Sequence, residues 1–156
     1  MALLLVASGI GAYYAASNNT TQAFDRSLLN LAIALANQAQ ARDGEVRFDL
    51  QPQARQVLLT DKFDEIHYAV FGPSGQLLSG EEGIFPRQSY SIDDFEDGHL
   101  FFDDVAKGKP VRGVVLLAPV EEREITVVVT ETLVKREMQV GDILLSILVP
   151  EILLFA

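Results

Sequence analysis

Asp93, Asp94, Glu96 and Asp97, followed by His99 and then by Asp103 and Asp104, form the densest group of ligand-type side chains in the chain. Carboxylate oxygens of this kind suit hard divalent cations such as Ca²⁺ and Mg²⁺. Their spacing matches no EF-hand loop, and most acidic runs are solvated faces. No metal is therefore expected, and a divalent-cation sensor stands as an alternative. A carboxylate ligand would need cationic or amide donors turned toward a cavity. Arg112, between Val111 and Gly113 in strand-like sequence, is the first candidate for that role. Its plain alternative is a solvated arginine at a sheet edge. His67 and Tyr68 are neighbours on another strand-like run, so only one of them faces a given pocket. Arg87 and His99 border a long loop and are candidates to cap a site, whereas Lys107 and Lys109 read as solubilising a turn. Glu151 directly follows Pro150 inside an apolar run. An ionisable group at membrane depth is costly, and proline frees a backbone carbonyl, so this pair is a candidate point of signal transmission.

Whole classes of chemistry are missing. No zinc-protease helix, nucleophile elbow or glycine-rich phosphate loop is present, so no catalytic residue is assigned. The absence of cysteine excludes disulfides, thiolate metal sites and cysteine nucleophiles. A formal net charge of −10 disfavours nucleic acid, which needs clustered positive charge.

The elements that would position these residues begin with a helix. Phe24, Leu28, Leu31 and Leu35 step by four, three and four, which makes one apolar stripe. Arg42, Asp43 and Gly44 look like its end. A helix running from Met1 to Arg42 would be about 63 Å long, more than a bilayer needs. Its outer half would pack on the domain's sheet or form a dimer seam. Glu45 to Asp49 alternates, with Val46 and Phe48 inward, as a short strand does. Pro52 suits the first turn of a second helix, Pro52 to about Thr60, held by Leu58 and Leu59. Ile66–Phe71 reads as a strand, Gly72–Gly75 as a turn and Gln76–Ser79 as a returning strand. Gly80 to Gly98 is a long loop of the functional kind. Leu100–Val105, Val111–Ala118 and Ile125–Thr130 are further strands, joined by short turns. Short connections require antiparallel neighbours. The expected class is α+β, with a five-stranded antiparallel sheet flanked by helices.

Both ends of the chain are apolar. Met1 to Ala16 carries no charge, and Val140 to Ala156 is broken only by Asp142, Pro150 and Glu151. Each run is slightly short of the roughly 20 residues that cross a bilayer, and no basic region opens the chain as in a secretory signal. Residues 1–16 and 140–156 read as partial transmembrane helices, and residues 17–139 as an extracytoplasmic domain tethered at both ends. Tyr13 and Tyr14 suit an interfacial belt, and Ser8, Ala12 and Ala16 share the spacing of helix-pairing seams.

Several stretches resemble the N-terminal sensor region of tricarboxylate-type two-component sensor kinases. They are Phe24-Asp25-Arg26-Ser27-Leu28-Leu29-Asn30-Leu31-Ala32, Leu58 to Val70, Gly72-Pro73-Ser74-Gly75, Gly108-Lys109-Pro110-Val111-Arg112 and Val129 to Arg136, with Pro150 in the last apolar run. Their order and spacing carry the resemblance over most of the chain, from about Thr20 to Phe155. It implies a PAS-like periplasmic sensor domain between two transmembrane helices of the bacterial inner membrane. It implies a homodimer that binds a small molecule, expected to be a carboxylate. It further implies a histidine kinase that uses ATP and Mg²⁺ and signals to a response regulator, both through cytoplasmic parts beyond Ala156. Neither His67 nor His99 heads a phosphoacceptor pattern, so this chain by itself is expected to lack kinase activity. A membrane-bound protein-interaction module that needs no ligand is the remaining alternative.

Overall fold

A computed structural model describes residues 21–61, 64–84, 86 and 89–134, together with 11, 138, 141, 142, 145 and 146. The two apolar ends, with Pro150 and Glu151, therefore lie almost wholly outside the described residues, as do Arg87 and the side chain of Leu58. No helix of the described residues is long and apolar enough to cross a membrane. The chain divides into two compact units, one of residues 1–24 with 134–156 and one of Asp25–Leu133. The second unit holds the elements described below, save the first four residues of α1.

Residues 21–36 are helical (α1). Leu28, Ala32, Leu35 and Ala36 are its buried face, at the spacing that keeps side chains on one side of a helix. The expected stripe thus holds at Leu28 and Leu35, with Leu31 packed at its margin. The expected end at Gly44 does not hold. Residues Ala39–Arg42 form strand β1, which pairs antiparallel with β2, Glu45–Phe48. Asp43 and Gly44, at φ 53 and 77, make the two-residue turn between them. An Asp-Gly pair supplies the two positive φ values that a tight hairpin needs. Val46 and Phe48 then reach the core from alternate positions, and that packing outweighs the helix preference of Ala-Gln-Ala-Arg. Helix α2, Pro52–Leu59, has its proline in the first turn as expected.

The main sheet comprises β3 (Ile66–Phe71), β4 (Leu77–Gly80), β5 (His99–Ala106), β6 (Lys109–Val120) and β7 (Arg123–Thr132). All neighbours are antiparallel, in the order β4-β3-β7-β6-β5. Five strands are present as expected, but the short strand after α1 stands outside this sheet. One face carries Tyr68, Val70, Val114, Leu116, Ile125, Val127 and Val129, packed with the buried side of α1. The opposite face carries Phe102, Val115 and Val128, packed with Phe71 and with Ile84, Tyr90 and Phe95 from the long loop. That loop contains one short 3-10 turn, Ile92–Asp94.

Candidate functional site

The loop-covered face opens into a cavity of about 160 Å³, lined among others by His67, Glu81, Glu82, Asp104, Lys107 and Thr130. An apolar cavity of similar size holds one benzene-sized molecule. Strand register explains which side chains meet here. His67 lies opposite Thr130, Thr130 opposite Gly113, and Gly113 opposite Phe102. In an antiparallel sheet such a row shares one face. Gly113 makes room for the Phe102 ring, because a Cβ there would stand 2.3 Å from its Cζ. The β5–β6 turn, Lys107-Gly108, takes the left-handed conformation at both positions. It presents Lys107 at the cavity's rim.

Glu81 Oε1 accepts a hydrogen bond from His67 Nδ1 at 2.8 Å, and Oε2 accepts one from Lys107 Nζ at 3.2 Å. A carboxylate only accepts, so Nδ1 bears the shared proton. Hydrogen bonding from His67, assisted by Lys107 against the cost of burial, holds the Glu81 carboxyl below the usual range. Nε2 of His67 faces Glu65 at 3.9 Å, and Glu65 is held below its usual range by Lys109 first. Thr130 is 2% exposed. Among the described residues its Oγ1 is the buried side-chain polar atom without a partner. A hydroxyl left in that state is costly unless something else satisfies it.

The structure separates the residues singled out in the sequence. His67 lines the cavity, whereas Tyr68 faces α1, is 4% exposed and bonds Ser79 Oγ through its hydroxyl at 3.0 Å. Arg112 also lies on the α1 face. Its Nε and Nη2 each donate to Asp25 at 2.8 Å, and Nη1 donates to Asp103 at 3.0 Å. The Asp25 contact, followed by Asp103, raises the guanidinium's pKa above its ordinary value. Its fork is thus engaged by the chain's own carboxylates. His99 stacks edge-on to Phe101 at 5.2 Å and does not line the cavity. Asp94 caps its own turn by accepting from Ser91 N–H at 2.7 Å, and Asp97 with Gly98 forms the turn between Glu96 and His99. Asp93, Asp94, Glu96 and Asp97 are all exposed. Among the described residues no three His, Asp or Glu side chains converge as a metal would require.

The sequence alone does not single out Glu81, Thr130 or Lys107 as cavity-lining residues. Two signals were there to be used. Gly113 interrupts a run of β-branched residues, which marks close approach. Thr130 ends the run Val127-Val128-Val129 with a hydroxyl.

A sequence-family comparison matches residues 1–143 to the two-component sensor kinase N-terminal family. The chain belongs to that family. Comparisons with curated proteins and with solved structures return no match. Membership makes this the sensor region of a two-component kinase.

Proposed function

We propose that this sensor-region chain binds a small carboxylate in the cavity between the sheet and the long loop. Residues 17–139 act as a PAS-like periplasmic domain, and residues 1–16 and 140–156 as transmembrane helices in a bacterial inner membrane. The observation that carries the ligand site is Thr130 Oγ1, buried and unpartnered at a cavity that also holds His67 and Lys107. A hydroxyl, an imidazole and an ammonium are the donors a carboxylate takes. The antiparallel sheet, helix-covered on one side and loop-covered on the other, supports the PAS-like reading. Binding favours one of two arrangements of the tethers, by as much as its affinities for the two differ. The response is histidine autophosphorylation with ATP and Mg²⁺ in a homodimer, followed by transfer to a response regulator, in parts of the protein other than this chain. Tricarboxylates, which the resemblance suggests, are the competing ligand class that citrate tests.

Titration of the full chain with acetate, propionate and citrate, read by calorimetry and by thermal shift, tests the site. Binding that Thr130→Val weakens supports it. Binding indifferent to Thr130→Val and Lys107→Met removes this cavity from the site. Ca²⁺ in the same assay tests the cation alternative.

A further inference from the structure

We infer that Glu81 is an internal stand-in for a ligand's carboxylate, occupying the donor corner of the cavity until a monocarboxylate displaces it. This rests on the reading of the cavity as a carboxylate site. Glu81 binds as a ligand would, with one oxygen on His67 Nδ1 and the other on Lys107 Nζ. Those donors come from well-separated places, His67 from β3 and Lys107 from the β5–β6 turn. Strands β7 and β6 lie between β3 and β5 in the sheet. The sheet's own pairing does not join the two donors; a carboxylate does.

The main chain beneath Glu81 is anchored while its side chain has somewhere to go. Gly80 sits at φ 101, and a Cβ there would stand 2.1 Å from the carbonyl oxygen of Tyr68. Glu81 N–H donates to that same oxygen at 2.9 Å. Displacement therefore asks only for side-chain rotation. The Glu81 side chain is 46% exposed and that of Lys107 65%, and ion pairs so open to solvent hold weakly. An expelled Glu81 carboxylate enters water, where it is well solvated.

Glu81 also leaves one donor unused. It bonds His67 and Lys107, yet the Thr130 hydroxyl at the same cavity stays without a partner. A free carboxylate seated deeper collects all three, and that extra contact is the differential gain that lets it replace the resident group. Glu82 and Asp104 line the remainder of the cavity. A second or third negative charge on the ligand would face them, which favours one carboxylate on a small body.

The test is calorimetric titration of propionate into the full chain, its Glu81→Gln variant, its Lys107→Met variant and its Thr130→Val variant. Glutamine keeps the shape and removes the charge. If the stand-in occupies the site roughly nine-tenths of the time, its removal tightens apparent affinity about tenfold. Glu81→Gln is expected to bind propionate that much more tightly than the unaltered chain, and Lys107→Met and Thr130→Val more weakly. Equal or weaker binding by Glu81→Gln, with Thr130→Val still impaired, overturns the stand-in and leaves the carboxylate site standing. Binding indifferent to all three substitutions overturns both. Propionate binding by none of the four chains overturns the stand-in, because Glu81→Gln removes the competing negative charge, and the carboxylate site falls with it if acetate and citrate also fail to bind.

Discussion

Arg112 is held by two of the chain's own carboxylates, those of Asp25 and Asp103. Its fork closes on Asp25 with two contacts of 2.8 Å, tying α1 to β6. Both side chains are mostly shielded, 17% and 16% exposed. Removing one partner leaves the other charge desolvated and unpaired, which costs more than the pair itself contributes. Arg112→Ala is expected to destabilise the chain by about 2 kcal/mol in urea unfolding. Asp25→Ala should cost a similar amount, and the double variant less than the sum. Glu81 offers a test by pH. Its folded-state pKa lies below the ordinary 4.5, so the stability it contributes is present above that value and is lost as pH falls through the folded-state value. Glu81→Gln should therefore narrow the difference in Tm between neutral and acid pH. Because the group is half-exposed, the effect at neutral pH stays under about 1 kcal/mol.

Among the elements, α1 and β6 carry most of the architecture. Leu35, fully buried, sits where α1 meets the sheet. Leu35→Ala should cost about 3 kcal/mol through lost burial and a residual cavity. A lower denaturant midpoint with an unchanged m-value is the expected signature. Gly113→Ala acts differently. The new methyl drives the Phe102 ring, which is 3% exposed, off its present seat. Phe102 lines the cavity proposed to take the ligand, so the shift should reduce its volume and weaken ligand binding. A stability loss of about 1–3 kcal/mol is expected beside it. Thermal shift with and without ligand separates the two effects.

For the whole molecule, the second unit is built around a five-stranded sheet with two different faces. The α1 face is sealed by aliphatic packing and by the Arg112–Asp25 pair. The loop face keeps a cavity with an unsatisfied hydroxyl. At the end of β7, Thr132 Oγ1 donates to Asp64 at 2.6 Å and accepts from Glu65 N–H at 3.1 Å, pinning the strand's last residue. A ligand held only by the folded domain stabilises it by mass action, by about 2.7 kcal/mol at a hundredfold excess over Kd. That rise should appear for the unaltered chain and be reduced in Thr130→Val.

The sequence by itself determined the elements whose signals are local. Ile66–Phe71 and Val111–Ala118 are mostly apolar, strand-favouring runs bounded by turn residues, and the structure extends the latter to Lys109–Val120. The Phe24–Leu35 periodicity likewise announced an apolar helix face, and the quoted motifs led to the sensor-kinase family before any comparison. Where local signals competed, they misled. Ala39–Arg42 favours helix by composition and becomes strand because β2 is there to pair with it. The site was the least legible part. His67, Thr130 and Lys107 lie on three different segments and meet only because β7 inserts between β3 and β6. That insertion is a long-range pairing, set by which faces bury together rather than by neighbouring residues. It turned Arg112 toward α1 and His67 toward the cavity, a choice that alternation along one strand leaves open.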